Sequence, residues 1–508
     1  MSEIRVVVAI DFGTTYSGFA YAHRSNPNEI TAYCNWQDYN ARFKTFTVLK
    51  YDESLKLISW GYPALAEKPN RRKKPSNIKP VERFKLHLGD MENKPYLPEG
   101  FDFKTAITDY LREIGIVIKE TIKTKWQKID FFRQVLIVMT IPAEFDSQAM
   151  KIMRKCAYDA GIINEGSENL EFTTEPEAAA VYCMKKKEYH IGVGSSFMIV
   201  DCGGGTVDLT TRKLLEDDKL EEVTEREGDF CGGSFVDDEF LKFIGEKVGE
   251  SALKLVRKNH YSQLQYMVQD FCRRVKTQFT GQESHAQTHE FDLSKLCPVL
   301  KQCVKGEKYD EMEEMEWIVE LTFDDVKLMF NPVIERIISL IHKQLDKSHE
   351  NGYDICAMMF LVGGFSESKY LQARIKKGFG DKVPNISVPI QPVTAVVRGG
   401  TDVAKKWGQG DPIKRKRSDG RVLKFSRLAK RGDQVAVNEK IIYMLQEKIT
   451  YCDEPGVELL DSWCVDIPNA SKENRAFEFT LTFGKVEIEA IAQAKTGEKY
   501  ENTFDLDM

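Results

Sequence analysis

The stretch VVVAIDFGTTYSG, residues 6–18, decides the fold predicted for this chain. It begins with five apolar residues, and a short run that is apolar on both faces is typical of a central strand in a sheet covered on both sides. Asp11 ends the run, Gly13 follows in a tight turn, and residues 14–16 all carry hydroxyl groups. The stretch therefore predicts a buried strand that delivers a carboxylate and a glycine turn to one edge of a sheet.

A second stretch, FMIVDCGGGTVD at residues 197–208, repeats this chemistry in the middle of the chain. Glycines let backbone N–H groups approach a phosphate closely, and a row of such groups forms an anion-binding concavity. Asp11 and Asp201 would repel a phosphate unless a cation lay between them. Two glycine turns, each beside an aspartate, therefore predict a nucleotide whose phosphates are held from both sides around Mg²⁺. Ordinary strand-to-turn transitions are the alternative interpretation of each turn taken alone.

Short apolar runs separated by amphipathic helical segments indicate an α/β fold. One predicted helix covers residues 147–160, and another starts near Ser366 and ends at Gly378. The last apolar run leads into Gly363 and Gly364, where a flat ring or a ribose can lie against the backbone, although a plain tight turn explains the diglycine equally well. The apolar runs are residues 6–10, 135–139, 197–200 and 357–362.

The composition of the 508 residues excludes several classes of protein. An apolar fraction of 42% with 30% charged residues is typical of a soluble globular protein and argues against a mostly disordered chain. The net charge of −6 gives no electrostatic reason to expect a nucleic-acid partner, and no apolar run is long enough to insert into a membrane. The eleven cysteines are scattered, so we expect neither a disulfide framework nor a zinc site. A cytoplasmic location is the expectation.

The last part of the chain has a different pattern. Residues 477–483 alternate apolar and polar side chains, a glycine-bearing turn follows, and residues 486–490 alternate again, which predicts a β-hairpin. A basic stretch that contains glycine and proline, residues 408–420, precedes this region and is expected to be a linker. The basic runs 71–74 and 414–417 are interpreted as solvated loops, with a nuclear-import signal or a patch for an anionic partner as the alternatives.

Several motifs, in their order along the chain, resemble those of the actin-like ATPase superfamily, and within it they look most like the seventy-kilodalton heat-shock proteins. IDFGTTYS, DCGGGTVD and LVGG are similar to that family's phosphate-1, phosphate-2 and adenosine motifs, at residues 10–17, 201–208 and 361–364. Further segments in the family's order are TIPAEFDSQ, TEPEAAA and GDFCGG, at residues 140–148, 174–180 and 228–233. The resemblance implies two ribonuclease H-like α/β lobes around a nucleotide cleft, with a small β-rich C-terminal domain.

The resemblance also implies the domain organisation. Residues 1–192 and 193–380 would form the two ATPase lobes, and residues 381–407 would return to the first lobe. The basic linker 408–420 and a β-rich domain of residues 421–508 follow. That domain is too short for the family's client-binding β-sandwich together with its helical lid, which indicates a divergent eukaryotic branch similar to heat-shock family A member 12.

The resemblance assigns roles to individual residues, with ATP or ADP and Mg²⁺ as cofactors. Asp11 and Asp201 would hold the Mg²⁺ shell, largely through water. Glu175 would position or deprotonate the attacking water, and Lys85 would stabilise the transferring phosphoryl group. A helix N-terminal carboxylate and a solvated surface lysine are the respective alternatives. Thr206 joins these four as a catalytic candidate. The residues that would contact the nucleotide are Gly13, Thr14, Thr15, Tyr16, Gly203, Gly204, Gly205, Gly232, Gly233, Lys276, Gly363 and Gly364.

The function implied by the resemblance is slow ATP hydrolysis by a monomer, which drives lobe closure and the binding of a protein client or partner. Arg273 and Thr277 stand where the family has Glu and Arg, and Val393 stands where it has Asp. These departures around the adenosine motivate an alternative function, a nucleotide-gated interaction module that does not hydrolyse ATP. A small-metabolite kinase on the same fold is less well supported, because the segments 175–176 and 228–229 follow the chaperone pattern.

Overall fold

A computed structural model of the chain shows two α/β lobes, each with its own β-sheet, and further strands in the C-terminal part. The structure describes residues 4–37, 39–69, 79–89, 94–142, 145, 147–167, 169–184, 191–216, 220–224, 226–285, 287–353 and 356–405, with strands between 422 and 505. The basic runs 71–74 and 414–417 and the expected linker 408–420 lie outside the described residues.

The first lobe is organised by a parallel strand pair, β1 and β10. Its elements are β1 Val6–Phe12, β2 Tyr16–His23, β3 Thr31–Ala32, β4 Asn35–Trp36, β5 Tyr39–Asn40, β6 Thr45–Phe46, β7 Val48–Tyr51, β8 Leu57–Trp60, α1 Tyr62–Leu65, β9 Val81–Glu82, α2 Phe103–Lys125, α3 Phe131–Gln134, β10 Val135–Ile141, α4 Ser147–Asp159, β11 Leu170–Thr174 and α5 Glu175–Met184. The main sheet has the order β11-β10-β1-β2-β3, with β6 beside β2. All residues of β10 are buried, as its uninterrupted apolar sequence predicts.

The second lobe repeats this plan with the parallel pair β12 and β18. Its elements are β12 Ser196–Cys202, β13 Val207–Leu214, β14 Leu220–Glu222, β15 Glu227–Asp229, α6 Ser234–Val248, α7 Glu250–Asn259, α8 Tyr261–Phe271, β16 His289–Asp292, α9 Leu293–Leu296, α10 Leu300–Cys303, α11 Glu307–Glu314, β17 Ile318–Leu321, α12 Phe323–Glu350, β18 Cys356–Val362, α13 Lys369–Phe379 and β19 Ile386–Ser387. The main sheet has the order β14-β13-β12-β18-β19, with β15 beside β13.

A final helix, α14 Ala395–Lys405, packs against α5 and against strands β1, β2 and β10 of the first sheet. The crossing with α5 is very close, because a Cβ at Gly399 would lie 1.7 Å from the backbone oxygen of Ala178. At Gly400 a Cβ would lie 3.2 Å from Cβ of Ala9 on β1. The two adjacent glycines therefore let the helix backbone rest directly on α5 and on the sheet.

The chain divides into two compact units. The first comprises Met1–Ala143 and Ile152–Gln409, which includes both main sheets, and the second comprises Glu144–Lys151 and Gly410–Met508. The C-terminal strands of the second unit are β20 Val422–Leu428, β21 Val437–Met444, β22 Val457–Val465, β23 Ala476–Phe483, β24 Glu487–Ala494 and β25 Lys499–Asp505. They form the sheets β20-β23-β24-β25 and β21-β22. The predicted hairpin is the antiparallel pair of β23 and β24.

The prediction of an α/β fold is confirmed, and the four apolar runs are the central strands β1, β10, β12 and β18. The predicted helix from residue 147 ends at Asp159, before Gly161 with its positive φ of 71°. The helix expected near Ser366 begins later, at Lys369, because the side chain of Ser368 accepts a hydrogen bond from the N–H of Leu371 and caps it there. Residues 365–367 form a short 3-10 turn instead.

Candidate functional site

The first glycine loop, residues 13–16, joins β1 to β2 and is held in shape by hydrogen bonds. The hydroxyl of Thr47 donates to the backbone oxygen of Gly13 at 2.8 Å, and its N–H donates to the backbone oxygen of Thr15 at 2.9 Å. A Cβ at Gly13 would lie 2.2 Å from the backbone oxygen of Tyr16. Only glycine therefore fits at this position, and the loop, which includes Thr14, is tightly folded before any ligand binds.

The second glycine loop, residues 203–206, joins β12 to β13 in the same way. The N–H of Gly203 donates to the backbone oxygen of Thr206 at 2.9 Å. Two backbone N–H groups just before α6 hold the loop in place. The N–H of Gly232 donates to the backbone oxygen of Gly205 at 3.2 Å, and the N–H of Gly233 donates to the backbone oxygen of Gly203 at 3.0 Å. The predicted site residues Gly232 and Gly233 therefore form a platform beneath this loop.

The two glycine loops lie close to each other where the two lobes meet. A Cβ at Gly204 would lie 3.0 Å from the ring of Tyr16, and a Cβ at Gly205 would lie 3.2 Å from Oγ1 of Thr15. That hydroxyl is buried and has no hydrogen-bond partner among the described residues. A buried polar atom without a partner is costly, so the Thr15 hydroxyl is available for an oxygen-rich ligand between the loops.

Asp11 and Asp201 occupy equivalent positions at the ends of β1 and β12. Asp11 is 3% exposed. Asp201 packs against Gly363, whose φ is +83° and where a Cβ would lie 2.3 Å from Oδ1 of the aspartate. The pKa of Asp201 is raised to about 7, chiefly by burial; the positive charge of Lys44 opposes this rise, and the negative charges of Glu175 and Asp11 add to it. Among the described residues no hydrogen bond reaches the Asp201 carboxylate, so this group can accept a cation.

Glu175 and Lys85 form an ion pair beside these aspartates. Glu175 is the first residue of α5, and Lys85 lies in the 3-10 turn Phe84–Leu88. Nζ of Lys85 is 3.0 Å from Oε1 of Glu175, and the lysine is only 2% exposed. Burial raises the pKa of Glu175, an effect that the positive charge of Lys85 opposes. The structure thus brings together two residues that the sequence separates widely, and the lysine is not a solvated surface group.

Lys44 is a member of this site that the sequence analysis did not identify. Its Nζ lies 2.5 Å from Oδ2 of Asp11. Burial alone would lower the pKa of Lys44, but the charge and hydrogen bond of Asp11, with the charges of Asp201 and Glu175, raise it above the ordinary lysine value. No local motif marks this lysine, because it reaches Asp11 from the residue that precedes β6, far from Asp11 in the sequence.

The region predicted to contact the adenosine is built from the second lobe. Nζ of Lys276 donates to the backbone oxygen of Gly233 and to Oδ1 of Asp237, both at 2.6 Å, so this lysine ties the turn Cys272–Lys276 to the start of α6. Arg273 is 65% exposed on its side chain and pairs with Asp270 at 2.8 Å. Neither cation contacts the glycine loops in this arrangement.

The diglycine after β18 lies next to the segment before α14. The N–H of Gly363 donates to the backbone oxygen of Pro392 at 3.1 Å, and a Cβ at Gly364 would lie 3.7 Å from Cγ2 of Val393. Val393 is therefore an apolar neighbour of the diglycine. The hydroxyl of Thr277 donates to the backbone oxygen of Arg273 at 3.1 Å.

The arrangement suits a nucleotide with Mg²⁺. A Cβ at several glycines would fill the space beside the two loops. Among the described residues, the Thr15 hydroxyl has no hydrogen-bond partner and no hydrogen bond reaches the Asp201 carboxylate. In the part of the chain that the structure describes, no group of three or more His, Cys, Asp or Glu side chains could hold a metal by itself. A Mg²⁺ ion here would therefore take most of its ligands from phosphate oxygens and water.

Helices that could cross a membrane are absent from the described ranges.

Comparisons with known proteins agree with this architecture. A family model described as Hsp70 protein matches residues 133–405. Heat shock 70 kDa protein 12A of Mus musculus is 26% identical over 471 residues, with 78% of this chain and 68% of the relative covered. Heat shock 70 kDa protein 12B of Homo sapiens is 24% identical over 502 residues, with 82% and 70% covered. Chaperone protein DnaK of Thermoplasma volcanium is 24% identical over 263 residues, with 52% and 38% covered.

Solved structures provide a comparison of the fold. The crystal structure of MreB5 of Spiroplasma citri bound to ADP matches with a TM-score of 0.51, over 80% of this chain and 97% of that chain. The sequence identity is 14%, so this likeness concerns the fold alone. It supports the two-lobed α/β fold described above.

Proposed function

Because the chain belongs to the Hsp70 protein family, with the two-lobed α/β fold of the actin-like ATPases, we propose that it binds ATP between its two glycine loops and hydrolyses it slowly. ATP held by both loops favours the closed arrangement of the lobes, and hydrolysis releases it. Closure is coupled to the binding of a protein client or partner by a cytoplasmic monomer.

The convergence of Asp11, Glu175 and Asp201 beside two facing glycine loops carries this proposal. A phosphoryl-transfer site needs little covalent chemistry from the protein, because positioning and charge stabilisation supply most of the rate. Carboxylates at the ends of β1 and β12 suit a metal shell, and the glycine loops suit phosphate oxygens on both sides. All of these groups lie within the compact unit that contains both main sheets.

Each chain residue has a defined task in the proposed reaction. Glu175 orients the attacking water and accepts its proton, and the raised pKa that burial gives this carboxylate makes it a better base. Lys85, held by Glu175 at 3.0 Å, provides positive charge for the transferring phosphoryl group. Thr206 and the N–H groups of the second loop bind the oxygens of that group from the other lobe. Asp11 and Asp201 would hold Mg²⁺, largely through water, and the ion would neutralise charge on the phosphates.

Single-turnover hydrolysis of ATP by the full chain tests the proposal. We expect slow phosphate release from wild type. In Glu175→Gln the rate should fall by at least about a hundredfold, because positioned general bases contribute on the order of 10² to 10⁴ in rate. Glu177→Gln is the matched control, since Glu177 is exposed on the same helix and accepts a hydrogen bond from Thr173. Calorimetry should find that all three proteins bind ATP.

A second function, nucleotide-gated binding without hydrolysis, is favoured by the adenosine region. The guanidinium group of Arg273 pairs with Asp270 on α8 at 2.8 Å. Val393 is an apolar neighbour of the diglycine. ATP affinity by calorimetry with no phosphate release from wild type would support this module and reject the ATPase. Failure to bind ATP at all would reject both.

A further inference from the structure

The path of Lys44 to Asp11 is built into the first sheet. Lys44 directly precedes β6, which pairs with the start of β2 and so brings the lysine alongside Gly18. A Cβ at Gly18 would lie 3.1 Å from Cγ of Lys44 and 2.6 Å from the backbone oxygen of Phe43. Gly18 is also the direct register partner of Asp11 on β1. The missing side chain therefore leaves room for the lysine stem to cross β2 and reach the aspartate.

The charges at the base of the cleft are nearly balanced by the protein itself. The carboxylates of Asp11, Glu175 and Asp201 meet there. Lys44 pairs with Asp11 at 2.5 Å, and Lys85 pairs with Glu175 at 3.0 Å. The Lys44 side chain is 17% exposed and that of Asp11 is 4% exposed, so water screens this pair only weakly.

This balance changes what a phosphate meets on entering the cleft. In a site with carboxylates alone, a polyphosphate is repelled unless a divalent cation enters with it. Here Lys44 neutralises Asp11 before any metal arrives, and it also competes with a metal for the same carboxylate oxygen. The Asp201 carboxylate is left as the open acidic ligand of the described site.

We propose that Lys44 is a built-in counter-ion of Asp11, so that this chain binds nucleotides with a weak dependence on Mg²⁺. The proposal rests on the proposed function, because it concerns nucleotide binding between the same two loops. It makes Lys44 a positioning residue that sets the ionic requirement of the site, distinct from the groups that would act on the transferring phosphate.

Calorimetric titration of ADP into the full chain, with excess Mg²⁺ and with EDTA, tests this role without reference to hydrolysis. We expect removal of Mg²⁺ to weaken ADP binding by less than about tenfold in wild type. In Lys44→Met the loss should be about a hundredfold or more, because one charge-assisted contact is worth about tenfold or more. Lys44→Arg keeps the positive charge and should behave as wild type.

Lys50→Met is the matched control, since Lys50 is also a buried lysine but pairs with Glu67, at 3.7 Å. Lys50→Met should retain the wild-type ratio of the ADP affinities measured with Mg²⁺ and with EDTA. A wild-type loss above about a hundredfold without Mg²⁺ would overturn the inference even if Lys44→Met failed to fold. Equal ratios in wild type and Lys44→Met would also overturn it and would leave the proposed function intact. Absence of ADP binding in both buffers would reject the proposed function itself.

Discussion

Gly363 shows how one missing side chain can set the position of a functional carboxylate. Its φ of +83° is unfavourable for any residue with a Cβ, and that Cβ would lie 2.3 Å from Oδ1 of Asp201 and 2.4 Å from the backbone oxygen of Cys202. Gly363 therefore allows the turn after β18 and also leaves the space that the Asp201 carboxylate occupies.

We predict that Gly363→Ala weakens nucleotide binding and lowers stability together. The strained backbone alone should cost about 1 to 2 kcal/mol, and moving the Asp201 carboxylate should reduce ADP affinity by about tenfold or more. Thermal unfolding and calorimetry measure the two effects. Gly378→Ala is the control, because nothing lies within 4 Å of its added Cβ on helix α13, and it should be neutral or stabilising. Unchanged ADP affinity in Gly363→Ala would contradict the prediction.

Single residues were predictable from the sequence where the signal is local. Asp11 and Asp201 each end an apolar run and precede glycines, and the structure brings both to the cleft with Glu175. Lys44 has no such signal, because its contact with Asp11 depends on β6 pairing with β2 and on the bare backbone of Gly18. The sequence separates the lysine from the carboxylate, and only the sheet register joins them.

The strand β15 and the helix α12 are joined by a ladder of opposite charges. Glu227 on β15 accepts hydrogen bonds from Lys343, at 2.8 Å, and from Lys347. Asp229 on the same strand accepts from Arg336 at 2.6 and 3.0 Å. Burial alone would raise the pKa of Glu227, but the hydrogen bonds and charges of both lysines outweigh it and lower that pKa. This ladder fixes the edge of the second sheet onto its longest described helix.

We predict that Glu227→Gln reduces the acid sensitivity of the protein. The folded-state pKa of Glu227 lies below its unfolded value, which is about 4.3. The interactions of Glu227 with the two lysines therefore stabilise the fold at pH values above that unfolded pKa. That stability is lost as the pH falls through the lower folded pKa. Wild type should therefore exceed Glu227→Gln by about 1 to 2 kcal/mol at pH 7, and the difference should shrink below about pH 4. Denaturant unfolding at several pH values measures it.

Glu335→Gln, on α12, controls for the general effect of removing one negative charge from the protein. Glu335 pairs with Arg374, but its side chain is 59% exposed, so the change should cost less than about 1 kcal/mol at pH 7. A stability difference between wild type and Glu227→Gln that stayed constant across the acid range would refute the linkage to this carboxylate.

Secondary structure was predictable wherever one pattern ran long enough to be read. The central strands are short apolar runs, and the hairpin β23–β24 alternates with period two, so both were found from the sequence. The two-residue strands β3 to β6 carry no periodicity. Helix α12 continues through Pro332, because its capping box at Thr322 and its buried apolar face outweigh the missing hydrogen bond.

At the scale of the whole molecule, the two lobes use one design twice. Each sheet has a parallel pair at its centre. In each, the first strand of that pair carries an aspartate as its second-last residue and turns through a glycine loop into an antiparallel neighbour. Thr15 and Tyr16 of one loop approach Gly204 and Gly205 of the other. Neither lobe holds a complete site alone, so any nucleotide bound here must respond to the separation of the lobes.

The candidate nucleotide site belongs to one of the two compact units. Every residue placed at the glycine loops, the carboxylates and the diglycine belongs to the unit Met1–Ala143 and Ile152–Gln409. We therefore predict that a chain ending at Gln409 binds ADP within about twofold of the full chain, since no group that contacts the nucleotide is removed. Calorimetry on both chains measures this, and a saturating nucleotide should raise their unfolding temperatures alike. A truncated chain that folds, by circular dichroism, yet binds ADP more than about tenfold more weakly would show that the second unit contributes to the site.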